Sequence, residues 1–140
     1  MEQKDIGYLV KNIDEKLKAR ADADLKSHNL TMAQSSVLLF LNGQPDCLAT
    51  QKEIEEHLGV SHPAVAGIVS RMEQNGHVTT WMDPDDRRHK MVQLTPQAQA
   101  LGETMNSLRN GWEEKMLQGF SEEEASQLKT FLWQVNQNIM

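Results

Sequence analysis

The chain has 140 residues, a length that suits one domain with a hydrophobic core, or a small domain carrying extra dimerisation segments. Hydrophobic residues make up 39% and charged residues 24%, which excludes a disordered chain, and no stretch approaches the roughly 18–20 apolar residues of a membrane span. The formal net charge of −6 runs against the basic face on which phosphate neutralisation depends.

The opening MEQKDIGYLVKNIDEK carries acids and amides where a secretory signal has a basic start and an apolar run, so a cytoplasmic protein is expected. The lone Cys47 has no partner for an internal disulfide and has Asp46 beside it, which disfavours a thiolate; an inert thiol is expected.

Taken in chain order, Ile6, Val10, Ile13, Leu17, Ala21 and Leu25 recur every three or four residues and form one stripe on a long helix. Thr31 opens a second helix, with Gln34 placed to complete a capping box. Its interior, Val37 to Leu41, is apolar on every side and predicts deep burial, and Asn42, Gly43 and Pro45 end it. Thr50 and Glu53 start a third, short helix in the same way, and Gly59 stops it where a left-handed backbone is needed. Only Val60 intervenes before Ser61, the N-cap of a fourth helix with Pro63 in its first turn and Val65, Ile68, Val69 and Met72 facing inward. Val60 and Val65 stand at the positions of a hydrophobic staple.

After Gly76 the period changes to alternation. His77–Met82 and His89–Thr95 read as two strands, Val78, Thr80 and Met82 answering Val92 and Leu94, with Asp-Pro-Asp-Asp-Arg-Arg between them as the tip. Thr95 and Pro96 open a long helix bearing Leu101, Met105, Leu108, Trp112 and Met116. Ser121-Glu-Glu-Glu124 opens the last, with its stripe at Leu128, Phe131 or Leu132, Val135 and Ile139. A short helix, a glycine turn, a second helix and a basic-tipped hairpin together make a winged helix-turn-helix. The expected fold is mainly α with a small β-hairpin wing, a single winged-helix domain over 1–140. Its core would span 30–95, and the helices of 1–29 and 96–140 would form the dimerisation region.

The runs LTMAQSSVLLFL, QKEIEEHLGVSHPAVAGIVSRMEQNGHV and DPDDRRHKMVQLT resemble the MarR family of bacterial transcriptional regulators over about Leu30 to Thr95. The wing pattern D-P-D-D-R-R-x-x-x-V-x-L-T is the most specific piece. Where the family often has arginines on the first wing strand, this chain has Thr79, Thr80 and Trp81, and it has Ala98 where a glycine is usual. The resemblance implies a homodimeric repressor that binds a pseudo-palindromic double-stranded DNA operator, with release by a small aromatic effector.

With the fourth helix's apolar side turned to the core, its other side presents Ser61, His62, Pro63, Ala64, Gly67, Ser70 and Arg71 to the major groove. Arg71 suits either a guanine or a phosphate. By resemblance Asp86 steadies the wing tip, and Arg87 or Arg88 enters the minor groove, with Lys90 behind them. From Ser61 to Thr95 four basic and four acidic residues balance, so this stretch is less acidic than the chain as a whole. A winged core does not need the stripes of the first and last helices, so Ile6, Val10, Leu128, Leu132 and Val135 are the expected dimer interface. An effector pocket would draw on Ile13, Leu17, Val37, Met105 and Trp112, residues that core packing explains equally well. The five histidines show no metal-ligand spacing, and no nucleophile elbow, P-loop or HExxH motif occurs, so neither metal, cofactor nor catalysis is expected. The competing reading is a protein-interaction module on the same scaffold, which the acidity and the missing strand arginines keep open.

Overall fold

A computed structural model describes residues 4–140. The first three residues, part of the expected dimerisation region, lie outside the described residues. The chain forms two compact units, residues 1–104 and 105–140. The division falls inside a helix rather than at its start.

In the first unit, α1 (Ile6–Ser27) is capped by Asp5, whose carboxylate accepts the Tyr8 N–H at 2.8 Å; its only buried residue is Leu25. α2 (Met32–Asn42) begins with a complete capping box, Thr31 Oγ1 accepting the Gln34 N–H at 3.1 Å and Gln34 Oε1 the Thr31 N–H at 3.2 Å. Two orphan amides are thereby satisfied by local chemistry alone. One 3-10 turn at Pro45–Cys47 follows, with Asp46 and Cys47 both in the left-handed region, φ 57° and 53°.

That turn feeds β1 (Leu48–Thr50), a strand that the sequence pattern does not announce. Thr50 ends β1 and also caps α3 (Gln51–Leu58), completing a box with Glu53. Gly59, at φ +66°, closes α3; a side chain there would be strained whatever the room. α4 (His62–Gln74) starts at Ser61, whose hydroxyl accepts the Ala64 N–H at 3.3 Å. Val65, Val69 and Met72 are wholly buried and Ile68 half-buried, while Val60, the outer half of the expected staple, stays exposed.

β2 (Val78–Met82) and β3 (Lys90–Leu94) form the wing, in the register expected: Val78 opposite Leu94 and Thr80 opposite Val92. The sheet has three antiparallel strands in the order β1-β3-β2, Ala49 lying opposite Val92. The two-strand hairpin is thus a three-strand sheet. β1 escapes sequence reading because three residues are too few to show alternation, and only pairing with a strand some forty residues later makes them extended.

α5 (Pro96–Met116) opens at Thr95, whose Oγ1 accepts the Ala98 N–H at 3.2 Å and donates to the Gly76 carbonyl at 2.8 Å. One threonine therefore caps a helix and ties it to the end of the α4–β2 turn. Leu38, Leu41, Ile54, Val65, Met72 and Val92 make the centre of the core, drawn from α2, α3, α4 and β3. Full burial of each contributes roughly 1.5–3 kcal/mol. At Gly102 a Cβ would stand 3.1 Å from both Leu38 Cδ2 and Asn42 Cγ, so α5 reaches α2 at a distance that favours glycine.

The second unit comprises the rest of α5 and α6 (Glu122–Asn138). α6 opens with the Ser121–Glu124 capping box and contains no buried residue. An exposed ion pair, Lys129 Nζ to Glu113 at 3.2 Å, joins its two helices. No helix among the described residues is long and apolar enough to cross a membrane.

Candidate nucleic-acid interface

The recognition surface starts from the register of α4. Its buried positions are Val65, Val69 and Met72, so Ser61, His62, Pro63, Ala64, Gly67, Ser70 and Arg71 all fall on the exposed side, as the sequence predicts. The small residues at 64, 67 and 70 keep this face low and let the helix backbone approach a surface closely. Next to Gly67 a Cβ would meet nothing within 4 Å.

His62 does not hang free. Its Nδ1 lies 3.1 Å from Glu55 Oε2 and 3.3 Å from Gln51 Nε2, both on α3. A carboxylate only accepts, so the ring proton of the Glu55 contact sits on Nδ1, which leaves Nε2 as the remaining polar atom. Glu55 is a positioning residue that the sequence reading missed, whereas Gln51 Nε2, itself a donor, makes no hydrogen bond with the protonated Nδ1. The signal for Glu55 was available in part: the Thr50–Glu53 box fixes the α3 register, but which α3 side chain meets α4 depends on how the two helices pack.

At the wing tip the backbone closes through Asp83 N–H to His89 O at 2.9 Å and His89 N–H to Asp86 O at 3.0 Å, while Asp83 Oδ1 accepts the Asp85 N–H. Asp86 then grips Arg88 as a fork: Oδ1 accepts Nε at 3.0 Å and the backbone N–H at 3.1 Å, and Oδ2 accepts Nη2 at 3.1 Å. His89 Nε2 approaches the same carboxylate at 3.2 Å. The guanidinium hydrogen bonds hold the Asp86 carboxyl below the usual carboxylate range, so it is ionised, and the fork closed, at neutral pH. Arg87 has no carboxylate within ion-pair distance among the described residues. Lys90 is half-buried on β3 opposite Met82. Behind the tip, the Thr80 hydroxyl donates to Glu73, linking β2 to α4.

These pieces converge. Lys52, Glu55, His62, Arg88, His89 and Lys90 line one groove of about 500 Å3 between the start of α4 and the wing. Three cations and one carboxylate face it, in a chain of net charge −6. Acidity of the whole therefore does not describe this surface. Lys52, on α3, is a further groove residue that the sequence reading did not name.

The other expected sites are placed as follows. Ile6, Val10 and Leu132 are exposed, Ile6 to 64%, while Leu128 and Val135 are half-buried. Of the expected effector residues, Val37 is packed wholly within the core of the first unit, Ile13 is exposed and Leu17 half-buried on α1, and Met105 and Trp112 are half-buried in the second unit. Cys47 is half-buried in its left-handed turn.

Comparison with known proteins agrees with this geometry. The family model described as MarR family matches residues 28–89. The chain is 34% identical over 105 residues to the HTH-type transcriptional regulator YwoH of Bacillus subtilis, covering 75% of this chain and 74% of the relative. Among solved structures it is similar to S. aureus MepR in complex with DNA, with TM-score 0.75 and 26% identity over 97% of this chain and 99% of that one. It is also similar to S. aureus MepR bound to ethidium bromide, with TM-score 0.78 and 25% identity over the whole of both chains.

Proposed function

Because the chain belongs to the MarR family of DNA-binding transcriptional regulators, we propose that it works as a homodimer on a pseudo-palindromic operator, repressing the genes there until a small aromatic effector releases it. The observation that carries the DNA reading is the Asp86–Arg88 fork beside the α4 groove. A long exposed arginine loses about 2 kcal/mol of rotamer freedom when it is fixed. Here the Asp86 fork already restricts it in part, leaving the Nη1 hydrogens for an acceptor outside the protein. The resemblance left Arg87 and Arg88 as equal candidates for the minor groove. The fork favours Arg88 as the residue inserted and gives Arg87 and Lys90 to the flanking phosphates.

In the major groove, Ala64, Gly67 and Ser70 allow close approach, and His62 and Arg71 supply the polar reach. Ser61 and the first amides of α4 meet a phosphate at the positive end of the helix dipole. Ile6, Val10, Leu128, Leu132 and Val135 serve the contact with a second copy, which two-fold symmetry turns into two recognition helices. Such a protein acts by binding rather than by turnover, in the cytoplasm with the bacterial chromosome. The likeness to MepR, solved with DNA and with ethidium bromide, supports both the DNA partner and an aromatic effector. Docking to a protein partner instead is not favoured.

The test is fluorescence anisotropy on DNA upstream of the protein's own gene and on operators selected from random sequence, across a salt series, beside a scrambled duplex. Selective binding that weakens steeply with salt is expected. Arg88→Ala should cost about 1–3 kcal/mol, whereas Arg87→Ala should weaken all duplexes alike and lower the salt slope by about one. Equal, shallow effects from both would remove the fork from recognition, and failure to select any duplex would overturn the DNA reading.

A further inference from the structure

A second concavity lies away from the wing, wholly within the first unit. It is a cleft of about 650 Å3, in the range that holds small-molecule ligands. Its polar lining is His28, Asn29, Asn75, His77, Gln97 and Thr104, and Ala100 and Leu101 give it one apolar wall. The walls come from the end of α1, the C-cap of α4, the residue before β2 and the first turns of α5. None of these residues belongs to the recognition face, and none is among those expected to line an effector pocket.

No lysine, arginine, aspartate or glutamate lines the cleft. An anion would find no fixed cation in it and a cation no carboxylate. His77 is only 8% exposed, and its Nδ1 is shut away from solvent with no hydrogen-bond partner among the described residues. A buried N–H without an acceptor is rarer and costlier than an unused lone pair, so Nδ1 stays bare and the ring proton sits on Nε2. Burial also pushes the His77 imidazole below its ordinary 6.5, in keeping with a neutral ring. The one donor of the ring, on a residue that lines the cleft, is then Nε2.

His28 is set the opposite way. Its Nδ1 lies 2.9 Å from the Asp24 carbonyl, which only accepts, so Nδ1 carries the proton. In the neutral ring Nε2 is then an acceptor. Asn29, Asn75 and Gln97 add primary amides, each with both a donor and an acceptor.

We propose that this cleft binds a small uncharged molecule bearing a carboxamide or lactam, its carbonyl accepting from His77 Nε2–H and its N–H donating to His28 Nε2, with a flat apolar side against Ala100 and Leu101. The paired donor and acceptor of an amide match the two imidazoles, the side-chain amides can bind its remaining lone pair and hydrogen, and absence of charge matches the lining. This site does not rest on the DNA reading and stands or falls separately from it.

The probes are nicotinamide and uracil, with benzoate and benzylamine as charged counterparts of similar size, titrated into the full chain and followed by NMR. Saturable shifts of the His28 and His77 ring signals and of the Asn29 and Asn75 side-chain amides are expected with either amide and not with the charged probes. Ala100→Trp, at an exposed position of α5, should fill the cleft and weaken binding at least about tenfold. His77→Phe should do the same by removing the donor; if that variant does not fold, Ala100→Trp decides alone. No saturable shift with either amide, binding that survives Ala100→Trp, or benzoate or benzylamine binding as tightly as the amides would each overturn the proposal.

Discussion

The winged portion of the first unit and the α6 segment use similar apolar residues to opposite ends. In α2, α3 and α4 the periodic positions meet one another, and Leu38, Leu41, Ile54, Val65 and Met72 are wholly buried. In α6 the same periodicity leads nowhere: no residue is buried, and Phe131 and Trp133 stand 64% and 65% exposed. The N-terminal half of α1 behaves like α6, with Ile6, Tyr8, Val10 and Ile13 all exposed. Amphipathic pattern thus specifies that a face will be covered, and not by what. The winged portion covers its own faces; the other helices leave theirs exposed, the faces proposed to meet a second copy.

The largest effect should come from the side that is already covered. Ile54→Ala should destabilise the first unit by about 2–5 kcal/mol, read from the midpoint of urea unfolding. A loss below about 1 kcal/mol would mean that this core is loosely packed. Leu132→Asp attacks the uncovered side. It should turn the dimer into monomers in sedimentation while near-ultraviolet circular dichroism of the winged portion is kept, because a charge is tolerated in water but not in an apolar seam. A dimer that survives would break the contrast.

Smaller changes sharpen it. Thr50 and Ser121 complete the same capping box in the two units, so Thr50→Ala and Ser121→Ala should each cost about 1 kcal/mol of local helix stability. Thr50→Ala should appear in the unfolding of the first unit at any concentration, whereas Ser121→Ala should be felt mainly through the dimer's dissociation constant. The smallest effect is in pH. The folded His77 binds its proton less readily than the unfolded chain does, so its contribution is intact above pH 6.5 and stability falls as the pH drops below that value towards the lowered folded pKa. His77→Phe should flatten that slope in urea titrations between neutral and mildly acid pH; an unchanged slope would assign it to other groups.

Most of this fold was legible because its punctuation is local. The boxes at Thr31, Thr50 and Ser121, the left-handed Gly59 and the Thr95 cap each depend on residues within one turn, and all are found in place. The exposed face of α4 was legible for the same reason: its buried face fixes it. β1 was not, because its extended backbone is imposed by Met91, Val92 and Gln93 across the sheet. Which of Arg87 and Arg88 pairs with Asp86 was not legible either, since it depends on which of them the tip turns towards that carboxylate. The amide-lined cleft is the extreme case: its walls come from segments around residues 28, 75 and 100, and no spacing in the sequence links them.

The strand that the sequence hid has a mechanical consequence. Thr50 is at once the last link of β1 and the cap of α3, and β1 is riveted along β3, the inner strand of the wing. Wing and helix-turn-helix are therefore one rigid tool head, not two fingers that flex apart. On the proposed reading, an effector finds little to bend inside that head and acts by shifting its mount, the way calipers release a rod by opening rather than by softening their jaws.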